Sequence, residues 1–178
     1  MKEYLHQRGI SSKTYPLVKE VHFTIGEKKL YAIGFENLSE GWELRNSFYK
    51  GSLLKKDISV VNLNNESQNQ NETGKKIVVF EGFMDALSFV EMKPFFKGDI
   101  LVMNSISLLN KAKEYLKQYS EIHLFLDNDK PGENCKNEIL KSFPEAKNHS
   151  EIYALYKDLN DYLLFRNYAE IEKQQWIS

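Results

Sequence analysis

Hydrophobic and polar positions change their period twice along this chain. From Tyr4 to Gly9 the order Tyr-Leu-His-Gln-Arg-Gly reads as a short helix closed by glycine, and Ser11 or Ser12 is placed to cap another start. Val21, Phe23 and Ile25 then alternate with His22 and Thr24, Gly26-Glu27-Lys28-Lys29 turns the chain, and Leu30 to Phe35 returns as the second arm of a hairpin. After the turn-forming Asn37-Leu38-Ser39-Glu40-Gly41, the alternation of Trp42, Leu44 and Asn46 with Glu43, Arg45 and Ser47 predicts a third strand. Asn62 to Gly74 holds a single apolar residue, too little burial to offset the entropy of ordering, and reads as a flexible linker.

Beyond Lys75 the pattern becomes strand, helix, strand, helix. Compact apolar runs at Ile77–Glu81, Ile100–Asn104, Ile122–Asp127 and Ile152–Leu155 predict strands. Helical periods fall at Phe83–Met92, Leu108–Tyr119, Gly132–Phe143 and Asn160–Gln174. Strands spaced by helices of this length predict βαβ units with right-handed crossovers, hence an α/β fold with a parallel sheet of about four strands buried on both faces. The expected organisation is a small α+β subdomain over 1–61, a linker over 62–74 and the α/β domain over 75–178. There is no internal repeat.

Composition narrows the function. The 178 residues, 42% of them apolar, suffice for a proper core, and 24 basic against 25 acidic side chains leave a net charge of −1. A protein that coats nucleic acid by bulk charge carries a basic excess, so any such contact here is local. Residues 1–60 hold ten basic and seven acidic side chains, and Arg45, Lys50, Lys55 and Lys56 fall close together. They read either as a charged strand edge that blocks unwanted pairing or as a phosphate-contacting patch. The single cysteine, Cys135, excludes an internal disulfide and a Cys-x-x-Cys zinc site and fits a reducing cytoplasm. No signal-like or membrane-length apolar run is present, so no membrane partner is expected.

Two strand ends carry the candidate chemistry. Lys76-Ile77-Val78-Val79-Phe80 runs into Glu81-Gly82, and Ile122-His123-Leu124-Phe125-Leu126 runs into Asp127-Asn128-Asp129. Groups at the carboxyl ends of parallel strands converge on one crevice, so these three carboxylates are expected to meet there and to favour a divalent cation. Gly82 removes a side chain where a phosphate or metal would approach. Asp85, one helical turn on, either faces the same crevice or stabilises the first turn of its helix. Asp-x-Asp before Pro131-Gly132 also suits a turn.

These residues resemble the Toprim domain of bacterial primases, topoisomerases and related nucleases. Its signature is a strand ending in Glu-Gly-x-x-Asp-Ala, here Glu81 to Ala86, and a later strand ending in Asp-x-Asp, a small residue and glycine, here Asp127 to Gly132. Within that family the chain most resembles primases, especially those of mobile elements. Lys157-Asp158-Leu159-Asn160-Asp161-Tyr162-Leu163 is similar to the primase segment Lys-Asp-x-Asp-Glu-x-Leu, with Asn160 where the second acid stands. Tyr4 to Ile10 and Trp42 to Gly51 resemble the entry to the primase core and its basic, template-facing subdomain. The zinc-binding, helicase-binding and trailing helical domains of primases have no counterpart here, which implies a Toprim core alone.

The resemblance implies a Rossmann-like Toprim fold in which Glu81, Asp127 and Asp129 are catalytic and hold Mg²⁺ or Mn²⁺. Asp85 and Asp158 would add to that metal site, and no zinc is expected. It implies single-stranded DNA or RNA and nucleotides as partners, with a helicase or replication protein alongside. The expected function is metal-dependent phosphoryl transfer on nucleic acid by a primase-like nucleotidyltransferase in DNA replication or mobile-element transfer. A small Toprim nuclease, or a non-catalytic module that binds single-stranded DNA, stands as the alternative. The remaining conspicuous residues read as structural. His6, His22, His123 and His149 lack ligand spacing, Cys135 reads as core packing, and Phe89, Phe95, Phe96, Tyr115 and Tyr119 fall at helical spacing.

Overall fold

The computed structural model describes residues 2–63 and 75–175. Helix α1 (Lys2–Gln7) ends at Gly9, whose φ of 72° lies in the left-handed region that glycine enters without strain. Ser11 caps a 3-10 turn over Ser12–Leu17 by accepting from the Lys13 amide. Four antiparallel strands follow in the order β1 (Lys19–Ile25), β2 (Lys28–Glu36), β3 (Trp42–Arg45) and β4 (Lys50–Leu53). The hairpin and the third strand stand where the alternation put them. Strand β4 carried no such signal, because Lys-Gly-Ser-Leu has one apolar residue to alternate.

Strand β5 (Ser59–Asn62) leaves that sheet and pairs antiparallel with a strand of the second one, Ser59 opposite Val102 and Asn62 opposite Asp99. The division expected after residue 61 therefore falls inside a strand. Of the expected linker, 64–74 lie outside the described residues. The second sheet is built from β6 (Lys76–Phe80), α2 (Phe83–Met92), β7 (Asp99–Val102), α3 (Leu109–Leu116), β8 (Glu121–Phe125), α4 (Lys130–Ser142), β9 (Lys147–Asn148) and α5 (Leu159–Gln175). Its order is β5-β7-β6-β8-β9, the last four mutually parallel and β5 antiparallel at the edge.

The strand expected at Ile152–Leu155 is not one. The fourth parallel strand is Lys147–Asn148, and Ser150–Tyr153 forms a 3-10 turn. Ile152 and Leu155 are exposed, and only Tyr153 is buried, its hydroxyl donating to the Leu126 carbonyl at 2.9 Å. One inward side chain is what a tight turn supplies, whereas a strand buried on both faces needs a run of them.

Strand β6 shows why the sheet is filled on both sides. Val78 and Phe80 pack with Ile100, Val102 and Phe125 against α2 and α5, while Ile77 and Val79 pack with Leu101 and Leu124 against α3 and α4. Cys135 lies in the second of these cores, as expected. The first sheet joins the other core through Ile33 and Phe35, the Phe35 ring stacked on Phe83 at 5.4 Å. Phe95, expected in the core, is 93% exposed instead, because α2 ends at Met92 and takes no further part in burying it. Among the described residues no helix is long and apolar enough to cross a membrane.

From β6 the chain crosses to β7 on one side, then returns past β6 to β8 on the other. That reversal opens a crevice at the carboxyl ends of β6 and β8, where α/β sheets place their ligands. Glu81 and Asp127 stand just beyond those two ends.

A candidate acidic cleft between the two sheets

Glu81 and Asp127 are joined directly. The Asp127 amide donates to Glu81 Oε1 at 3.1 Å, tying the two strand ends across 46 positions of sequence. The close approach needs Gly132, since a Cβ there would collide with the Asp127 carbonyl and with Glu81 Oε1. Gly82 differs: its extended backbone suits any residue, and a Cβ would meet only Asp85 Oδ2, at 3.5 Å. What glycine leaves there is open space facing the acids.

Asp129 caps α4, its Oδ1 accepting from the Gly132 amide at 3.0 Å, which leaves Oδ2 for a ligand. Asp158 does the same at α5, accepting from the Asp161 amide at 2.8 Å. Asp85 is buried on the cleft floor, where its Oδ1 accepts from the Asn160 amide at 3.1 Å. Asn160 itself is wholly buried, and its side-chain amide donates to the Arg8 carbonyl and to Ser88 Oγ, at 2.9 and 2.8 Å. It is a structural junction of α1, α2 and α5 rather than a missing ligand.

The middle residue of Asp-x-Asp holds the second acidic segment in place. The Asn128 amide donates to the Lys157 carbonyl at 2.7 Å, and its side chain donates to the carbonyls of Tyr153 and Tyr156 at 2.9 and 3.1 Å. Asp158 is thereby docked beside Asp127.

Crowding leaves an electrostatic mark. Burial, reinforced by Asp127 and Asp129, pushes the Glu81 carboxyl up to about 7, and Lys157 only partly offsets it. Burial, then Asp158 and Asp129, lifts Asp127 to about 6. Burial and the charges of Asp158 and Asp127 hold Asp85 far above the usual carboxylate range. Acids that resist ionisation together are acids that a cation would relieve. Among the described residues, however, no three His, Cys, Asp or Glu side chains stand close enough to form a ready-made metal cage. Mg²⁺ needs only one or two carboxylates and keeps several waters, so the hard oxygen donors of Glu81 and Asp127 fit it.

The opposite wall comes from the first sheet. The space between them, about 350 Å³, is lined by Glu81, Asp85, Asp127 and Asp158 on one side and Glu43, Arg45 and Lys50 on the other. Arg45 and Lys50 are direct cross-strand partners in β3 and β4. Like charges so paired repel, an arrangement that an anion would relieve. Lys55 and Lys56 do not line this cleft, although Lys56 is close enough to lower the pKa of Glu43, which burial raises. Glu43, Arg8, Lys157 and Asn104 were not singled out beforehand. For Glu43 the signal was present, because it alternates in step with Arg45.

A family described as Toprim-like matches residues 78–163, and a domain of unknown function matches residues 1–54. No curated protein sequence matches the chain. In fold the chain is similar to the primase fragment of the bacteriophage T7 primase-helicase protein, with 20% identity and a TM-score of 0.64 over 98% of this chain and 73% of that one. It is also similar, with 18% identity and a TM-score of 0.61 over 97% of this chain and 89% of the other, to a structure of the T7 lagging-strand DNA polymerase interacting with primase domains of two gp4 subunits bound to an RNA/DNA hybrid and dTTP.

Proposed function

We propose, from the Toprim-like match over residues 78–163 and the fold shared with a primase fragment, that this chain acts on nucleic acid by divalent-metal-assisted phosphoryl transfer, as a primase-like nucleotidyltransferase of replication or mobile-element transfer. The observation that carries this reading is the two-walled cleft, with carboxylates on one side and the opposed Arg45 and Lys50 on the other. Glu81 and Asp127 would hold Mg²⁺ or Mn²⁺, with Asp129 and Asp158 supporting through their remaining oxygens. When bound, such an ion activates an attacking hydroxyl or neutralises a leaving oxygen.

The chain's own groups do the rest. Arg45 and Lys50 hold phosphate oxygens by charge-assisted hydrogen bonds. Glu81 Oε1 accepts from the Asp127 amide, so Oε2 is the oxygen left for the ion or, while no ion is bound, for a proton. Gly82 leaves a phosphate room to reach the acids. Single-stranded DNA or RNA and nucleotides are the substrates, and a helicase or replication protein is the expected companion.

The test is primer synthesis, and cleavage in parallel, on single-stranded DNA and RNA with Mg²⁺ or Mn²⁺. Activity should appear with wild type and vanish in Glu81→Gln and Asp127→Asn. Activity that survives both changes overturns the metal site. The opposed Arg45 and Lys50 also suit a second reading, a non-catalytic strand-binding module, which predicts metal-independent binding and no turnover.

A further inference from the structure

A cavity of about 370 Å³ adjoins the acidic cleft at the turn between β3 and β4. Consecutive residues divide between the two spaces: Gln7 and Asn46 line this one, Arg8 and Arg45 the cleft. Strand register carries one face of the first sheet from the cleft into the cavity. Arg45 stands opposite both Lys50 and Ile33, and directly opposed residues of antiparallel strands share a face. Side chains two apart on a strand share it too, so Tyr31 and Lys29 continue that face along β2, Tyr31 about 7 Å beyond Ile33.

The turn holds one ring in water. Asn46 Oδ1 accepts from the amides of Phe48 and Tyr49, both at 2.8 Å, and its Nδ2 donates to the Tyr31 carbonyl at 2.7 Å. The Asn46 amide donates to the Tyr49 carbonyl at 2.9 Å and closes the turn. Tyr49 folds back, its ring 5.1 Å from that of Phe23 and over Gly51, where a Cβ would collide with it. Phe48 beside it is left 98% exposed, and Tyr31, across the cavity mouth, is 55% exposed. Glu3 and Lys29 are the charged side chains of the lining, so their charges cancel, whereas Arg45 and Lys50 next door attract phosphate. A strand held at that cationic rung therefore lays an uncharged base, not a phosphate, into the neutral cavity.

We propose that a single strand bound at the acidic cleft runs on past Arg45 and Lys50 into this cavity, where an unpaired base stacks on Phe48 and Tyr31. The proposal rests on the nucleic-acid reading above and adds a requirement on the substrate. The segment next to the cleft must be unpaired, because the faces of a base inside a duplex are already covered by its neighbours. The volume lies at the low end of the range for small-ligand sites.

Fluorescence anisotropy with the full chain tests this, using two labelled probes of equal length, oligo(dT) and a fully abasic deoxyribose-phosphate strand, with Mg²⁺ present and probe integrity checked on gels. Phe48→Ala removes a ring that stands almost wholly in water, so the melting temperature should stay unchanged. Oligo(dT) binding should weaken about five-fold or more, with the slope of log affinity against log salt unaltered, and binding of the abasic strand should not change. Tyr31→Ala should act the same way, whereas Arg45→Glu Lys50→Glu should weaken both probes. Oligo(dT) affinity unchanged in Phe48→Ala, or reduced equally for the two probes, overturns the stacking site and leaves the cleft reading standing. A concentration-dependent dimer that Phe48→Ala abolishes also overturns it, making the turn a contact between copies of this chain. Failure of wild type to bind either probe overturns the nucleic-acid reading together with the stacking site.

Discussion

Glu81 shows how one residue can oppose folding and serve chemistry. Its carboxyl titrates near 7 in the folded chain against 4.5 ordinarily, so between those values the folded state binds the extra proton. Stability from this group is therefore present at low pH and lost as pH rises through 7. His123 and His149 pull the other way, since their lowered values make the fold lose stability as pH falls below the usual histidine range. Both histidines are common to wild type and Glu81→Gln, so the difference between the two isolates the carboxylate. In chelator, Glu81→Gln should melt higher than wild type at pH 8 by on the order of 1 kcal/mol, a figure kept small because the cleft is open to water. The gap should close by pH 5. Gln keeps Oε1 as an acceptor for the Asp127 amide, and melting curves at the two pH values are the measurement.

At the scale of elements, two asparagines join segments that the sequence keeps apart. Asn128 ties the end of β8 to the turn before α5, and Asn128→Ala should cost about 1 kcal/mol for the bonds lost. Hydrogen exchange should rise over residues 150–158, and Mn²⁺ affinity should fall as Asp158 loosens; unchanged exchange there would discount the clamp. Asn160 sits where the primase pattern has an acid, yet it is buried among Asp85, Ser88 and the Arg8 carbonyl. Asn160→Asp brings a second carboxylate beside a buried one and removes two donors. A loss of about 3 kcal/mol or more in urea denaturation is expected, with no gain in metal affinity.

For the whole molecule, the cleft exists because two sheets face each other, one side supplying Glu81, Asp127 and Asp158 and the other Arg45 and Lys50 beside Glu43. If Arg45 and Lys50 contact phosphates, Arg45→Glu Lys50→Glu weakens single-stranded DNA binding and lowers the slope of log affinity against log salt by about 1 or more. Lys55→Glu, outside the cleft lining, should change affinity less. Fluorescence anisotropy at several salt concentrations separates the two, and equal effects would spread the contact over the entire basic stretch.

Periodicity alone determined the hairpin, the third strand, the βαβ order and the two strand ends where carboxylates meet, because buried parallel strands must be apolar runs and α/β sheets gather their strand ends. Strand β4 and the true fourth parallel strand escaped it, since Lys-Gly-Ser-Leu and a two-residue strand hold too few apolar positions to show a period. Only the tertiary structure decided which sheet β5 joins, that Arg45 and Lys50 face the acids while Lys55 and Lys56 do not, and that Asn160 is a junction. Those are matters of which surfaces meet across long stretches of sequence, and a local pattern records that a side chain is polar but not what it will face.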